Sequence, residues 1–142
     1  MSGTQTGISV TEPAQLIWDV IEEITPMRVR QYADASGDHN TIHTDVEAAH
    51  AAGLIAPVAQ GLLVVGIVLG HADVWARRHG VRLTGYDTRF VRPVYLGSES
   101  TALHVTGRLV SPGHLSATAA VLDDDGASRA VLRPIRILYT AD

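Results

Sequence analysis

Apolar and polar residues follow two different rhythms along the chain, helical in the first half and alternating in the second. Leu16 to Ile24 is an apolar run broken by Asp19, Glu22 and Glu23, and it fits a strand or a short helix equally well. Thr25 then reads as a helix cap with Pro26 at the first helical position. Val29, Tyr32, Ala33 and Ser36 follow at helical spacing, which predicts a short helix ending at Gly37. Thr44-Asp45-Val46-Glu47 has the form of a capping box, with Glu47 returning a bond to Thr44. That helix is expected to run to Ala52 and stop at Gly53. Gly61 to Arg78 reads as one long helix, apolar on most sides and therefore buried. Gly66 and Gly70 cost it helix propensity, and a close backbone approach is the expected reason.

From Leu83 the pattern alternates. Tyr86, Thr88 and Phe90 share one face, then Leu103, Val105 and Leu109, then Leu115, Ala117, Ala119 and Val121. Pro93, Gly97, Pro112-Gly113 and Asp123-Asp124-Asp125-Gly126 punctuate them as turns. Ala130 to Tyr139 is expected as a last strand, with Pro134 at a bulge or an edge. Helices followed by an antiparallel meander give an α+β class, with one buried helix wrapped by a curved sheet. No repeat or long linker divides residues 1–142, so one domain is expected, with Met1 to Glu12 as a flexible, polar N-terminus lacking signal-peptide character.

Composition removes several chemistries. All the positive charge is arginine, so lysine Schiff bases and a P-loop lysine are excluded. With no cysteine there is no thiol nucleophile, disulfide or thiolate metal site, which fits a cytoplasmic protein. A net charge of −4 gives no sign of nucleic-acid binding. The uncharged stretch between Glu47 and Asp73 is interrupted by Gly53, Pro57, Gln60 and Gly61. Its continuous apolar part is far short of the ~20 residues a membrane span requires.

Candidate chemistry concentrates in Tyr32 to His43. Asp38 and His43 sit on one short loop held by a helix at each end, and a carboxylate beside an imidazole is a workable acid–base pair near neutral pH. Asn40 is placed to orient either of them, and Ser36 to cap or support the loop. A structural Asp–His pair in a turn is the competing reading. His39 and His43, with Asp38 and Asp45 nearby, have ligand-like spacing but form no metal motif, so no metal is expected. A Ser36–His43 hydrolase triad lacks the Gly-x-Ser-x-Gly elbow. His71 lies on the long helix as a candidate tunnel residue. Trp18 and Trp75 read as core or subunit-interface residues.

Ser36-Gly-Asp-His-Asn-Thr-Ile-His43, followed by Asp45 and Ala51-Ala52-Gly53, resembles the MaoC-like hydratase family that includes (R)-specific enoyl-CoA hydratases. Pro57 to Gly61 and Phe90 to Gly97 resemble two further segments of that family. The sequence departs from it at Thr41, where proline is usual, and at Gln60, where histidine is frequent. The resemblance implies a hot-dog fold and reversible syn addition of water across a trans-2-enoyl thioester. Asp38 and His43 would hold the water, the backbone N–H of Gly61 would stabilise the enolate oxygen, and Ser36, Asn40 and Gln60 would support them. No cofactor is implied beyond the coenzyme A or phosphopantetheine arm of the substrate, whose phosphates Arg77, Arg89 and Arg92 are candidates to bind. A homodimer is expected, with a heterodimer of two hot-dog subunits as the alternative. A thioesterase and a non-catalytic acyl-binding subunit are the competing functions, and neither membrane nor nucleic acid is expected as a partner.

Overall fold

The structure, a computed structural model, describes residues 14–96, 100–123 and 125–141. The N-terminal segment Met1 to Glu12, Gly97 and Asp124 of the acidic turn lie outside the described residues. Strand β1 is Gln15–Ile24, which settles the choice left open by its pattern. It becomes a strand because Val20 and its neighbours pair along β3 (Thr101–Ser111) in antiparallel register. Tertiary pairing thus decides a segment whose own periodicity is neutral.

Helix α1, Pro26–Ser36, has the expected ends: the Thr25 hydroxyl accepts from the Arg28 N–H at 3.0 Å, and Gly37 at φ 78° closes the helix. Helix α2, Val46–Ala51, is capped one residue later than the capping box suggested. Thr44 belongs to a 3-10 turn over Thr41–His43 and donates to Thr41, at φ −129°, ψ −16°. Asp45 has the extended backbone a cap needs, and its carboxylate accepts from the Glu47 N–H at 3.1 Å. Gly53, at φ 84°, lies just past the end of α2.

Helix α3 spans Gly61–Arg78 as predicted. Val64, Val68, Ala72 and Ala76 recur every fourth residue and are buried, so this row faces the sheet. The opposite row, Leu62, Gly66, Gly70 and Val74, is exposed. Among the described residues the expected close approach at Gly66 and Gly70 is not found, because an added Cβ at either would meet open space.

The remaining strands are β2 (Val81–Asp87), β4 (His114–Leu122), β5 (Ser128–Ala130) and β6 (Ile135–Ala141). The sheet order is β1-β3-β4-β6-β2, all antiparallel, with β5 beside β4. This is not a simple meander: β2 joins the last strand, β6, rather than its successor. The strand expected at Ala130 to Tyr139 is split in two, and Pro134, with no N–H to give a ladder, sits in the break between β5 and β6. The alternation through Phe90 outlasts β2, leaving a single bridge from Phe90 to Leu132. Leu103, Val105, Leu115, Ala117, Ile135 and Ile137 form the sheet side of the core against α3. The sheet wrapping this helix is the hot-dog fold. No helix among the described residues is long and apolar enough to cross a membrane.

Opposite Trp18 the paired strand carries Gly107, and the indole occupies the space a Cβ there would fill. Gly107→Val is expected to lower the unfolding free energy by about 1–3 kcal/mol through overpacking, read as a lower denaturant midpoint with an unchanged m-value.

Candidate active site

The loop between α1 and α2 is shaped by its own side chains. The Ser36 hydroxyl accepts from the Asp38 N–H at 3.2 Å, Asp38 Oδ1 from the Asn40 N–H at 3.3 Å, and Asn40 Oδ1 from the Ile42 N–H at 3.2 Å. Each bond reaches two residues forward, the pattern of Asx and Ser turns. Asn40 thereby caps the 3-10 turn, and Thr41 takes its first position, where proline is also at home. Ser36 and Asn40 act on the loop backbone rather than on the His43 ring.

The turn delivers His43 to a main-chain partner. Its Nδ1 lies 2.7 Å from the Val58 carbonyl, and the Val58 N–H donates back to the Ile42 carbonyl at 3.1 Å. A carbonyl only accepts, so Nδ1 carries the hydrogen. In the neutral ring Nε2 is then a bare acceptor. Nε2 faces Asp38 Oδ2 at 3.5 Å, with the His43 side chain 10 % exposed and that of Asp38 45 %. A molecule with two donor hydrogens, such as water, could bridge two such acceptors. The Val58 segment is itself fixed, because Ala59 donates to Val94 and Leu96 to Pro57 at 2.9 and 2.8 Å.

Three residues beyond Val58, α3 begins at Gly61. The first N–H groups of a helix have no intrahelical partner and carry partial positive charge. The Phe90 ring covers this glycine so closely that an added Cβ would come within 2.6 Å of it. Two concavities lie along this stretch, lined by adjacent residues Pro57 and Val58. One, of about 360 Å³, includes His43, Pro57, Ile55 and Arg30; the other, of about 340 Å³, includes Val58, Gly61, Phe90 and Arg92. Asp38 lines neither.

The other expected site residues are dispersed. Gln60 is 2 % exposed and donates to the Val29 carbonyl at 3.0 Å, so it joins α3 to α1 and lines neither concavity. Its Oε1 is buried without a partner among the described residues. Arg77 is sixteen residues along α3 from Gly61, roughly 24 Å at the helical rise, and it pairs with Asp73 at 2.8 Å. Arg92 lies at the Gly61 concavity and donates to the Ala130 carbonyl, whereas Arg89 lines a separate cleft.

A model of the MaoC-like domain matches residues 10–120 of the chain. The chain belongs to the MaoC-like domain family. Over 74 residues it is 42 % identical to 3-hydroxyacyl-thioester dehydratase X of Mycobacterium tuberculosis, an alignment covering 51 % of this chain and 25 % of that protein. This chain thus spans far less than the full length of that relative. A solved structure described as a MaoC-like dehydratase superposes with a TM-score of 0.78 at 22 % identity, covering 93 % of this chain and 41 % of the other. The (R)-hydratase from A. caviae involved in PHA biosynthesis superposes with a TM-score of 0.72 at 16 % identity, covering 92 % and 97 %. At those identities the structural likeness is one of fold.

Within this MaoC-like domain, sequence reasoning missed Val58 as the partner of His43, since a main-chain acceptor leaves no trace in residue identity. It also passed over Phe90 as a cover for Gly61. A second titratable group lies away from the loop. Glu22 accepts from His71 at 2.6 Å and from Arg28 at 3.0 Å, so His71, a candidate tunnel residue, instead ties α3 to β1. Burial pushes the Glu22 carboxyl up, but the hydrogen bonds and charges of Arg28 and His71 together outweigh it and hold the pKa below 4.5.

A neutral His43 is expected to show a protonated Nδ1 and a bare Nε2 by 15N NMR, and the opposite tautomer would contradict the Val58 bond. Because the folded-state pKa of Glu22 is depressed, its stabilisation is fully present above the unfolded value of 4.5 and lost as pH falls through the folded value. Glu22→Gln is therefore expected to destabilise the protein at pH 7, with the gap to wild type closing on acidification in urea unfolding.

Proposed function

We propose that the chain is a hydratase or dehydratase that adds water to, or removes it from, an enoyl thioester, through Asp38 and His43. One observation carries the reading: a histidine whose Nδ1–H is committed to a peptide carbonyl points its free Nε2 at a carboxylate 3.5 Å away. Such a pair holds a water by both of its hydrogens and leaves the oxygen lone pairs directed outward. In hydration, His43 Nε2 takes one proton as the oxygen attacks the β-carbon, and Asp38 stays ionised beside the imidazolium. Nε2 then returns that proton to the α-carbon on the same face, so H and OH add syn and the water is fully accounted for. Dehydration is the same path reversed.

Negative charge collects on the thioester oxygen as the enolate forms. The Gly61 N–H at the start of α3 suits that oxygen, and a donor of this kind is worth about 2.7–4 kcal/mol in other enzymes. The similarity to a 3-hydroxyacyl-thioester dehydratase supports the reaction class, as does the Ser36–His43 motif. The substrate brings its own carrier arm, and no further cofactor enters these steps. We assign the protein to the cytoplasm, in keeping with the lack of cysteine. We further infer a second hot-dog subunit, an identical copy, beside β2, which pairs only with β6 among the described residues.

With crotonyl-CoA, the enoyl absorbance is expected to fall without release of free thiol. Asp38→Asn and His43→Gln are each expected to reduce kcat/KM by about 10²–10⁴-fold. Thiol release would instead identify a thioesterase, and full activity in both variants would remove Asp38 and His43 from the mechanism.

A further inference from the structure

Beyond the end of β2 the chain continues beside the segment that leads into β6, and the two form a narrow frame. Asp87 stands opposite Arg136 in the antiparallel register of β2 and β6, the Arg133 N–H donates to the Arg89 carbonyl at 2.8 Å, and the Thr88 hydroxyl to the Arg133 carbonyl at 3.1 Å. The Phe90–Leu132 bridge closes the frame. On one side of that bridge lies the concavity containing Gly61 and Phe90. On the other lies a cleft of about 320 Å³ lined by Asp87, Thr88, Arg89, Arg133, Pro134 and Arg136.

This cleft gathers three arginines around one concavity. Arg28, Arg77 and Arg129 each have a carboxylate partner, in Glu22, Asp73 and Asp123. Arg89, Arg133 and Arg136 have no ion pair among the described residues, and the cleft holds three guanidinium groups against one carboxylate, Asp87. A single exposed arginine is well solvated and attracts little. Three around one concavity raise the local potential and present several planar forks, the geometry that phosphate oxygens match.

We propose that this cleft binds the phosphates of a coenzyme A thioester whose acyl end reaches the Gly61 side of the Phe90–Leu132 bridge. The inference rests on the enoyl-thioester reading and deepens it, adding Arg133 and Arg136 to Arg89. Concavity favours the small, multiply charged nucleotide end over the broad acidic face of a carrier protein. The arginine frame is a binding element and takes no part in proton transfer.

The test uses the full chain and the double variant Arg133→Gln/Arg136→Gln. Two thioesters with the same reacting group are compared, crotonyl-CoA and crotonyl-N-acetylcysteamine, which lacks phosphate. The ratio of their kcat/KM values is expected to fall at least about tenfold in the variant, by loss of charge-assisted contacts and through KM for crotonyl-CoA. Calorimetric titration with coenzyme A itself is expected to show a matching loss of affinity, larger at low salt. An unchanged ratio with unchanged coenzyme A binding overturns the proposal, as does a variant impaired only toward a carrier-protein thioester. A wild-type chain that binds coenzyme A through these arginines yet hydrates neither thioester keeps the cleft and removes the enoyl-thioester reading instead.

Discussion

Burial of one face of α3 is the constraint on which the rest of the structure depends. Val64, Val68, Ala72 and Ala76, flanked by Leu63, Val65 and Ile67, leave a wide apolar surface that no single strand can cover. A twisted antiparallel sheet wraps such a surface, and the departure from meander order follows from it. By returning β2 to the far side of β6, the chain places one sheet over the whole helix. Gln60 then acts as a polar tie at the start of α3 through Val29, and Glu22 as one at its middle through His71.

Where α3 begins is set by the same packing, and the site inherits its position from there. The segment before the helix runs past the α1–α2 loop, so its main chain meets His43, and it continues directly into the helix terminus. The Asp38–His43 pair and a helix N-terminus thus come from two pieces of chain that share one hydrogen-bonded seam, Ile42 to Val58. The seam is anchored in turn to residues 94–96, which belong to neither piece.

Elements with strong local signals were legible in the sequence. The cap and stop of α1, the full extent of α3 and the turns at Gly113 and Gly126 rest on residues whose own conformational preferences decide the outcome. The identity of β1 was not legible, because pairing with β3 rather than local pattern makes it a strand. Cap placement at α2 depended on a 3-10 turn that consumed Thr44, and the site loop sets up that turn through Asn40. Of the site residues, Asp38 and His43 were readable as neighbours on one loop. Arg77 lies far along α3 from Gly61, and its ion pair with Asp73 follows from helical i, i+4 spacing. Arg133 and Arg136 escaped notice because only strand pairing brings them beside Arg89.

The hydrogen bond that fixes the His43 ring ends on a peptide carbonyl, while the side chain of the same residue, Val58, lines the concavity beside Gly61. Position 58 therefore carries two independent duties. No codon change there can delete the carbonyl, so the tautomer of the ring is shielded from point mutation. The isopropyl group, in contrast, differs with every substitution there, at whatever cost its buried packing sets. A change of side chain there would reshape the wall of that concavity without touching the proton inventory of the imidazole.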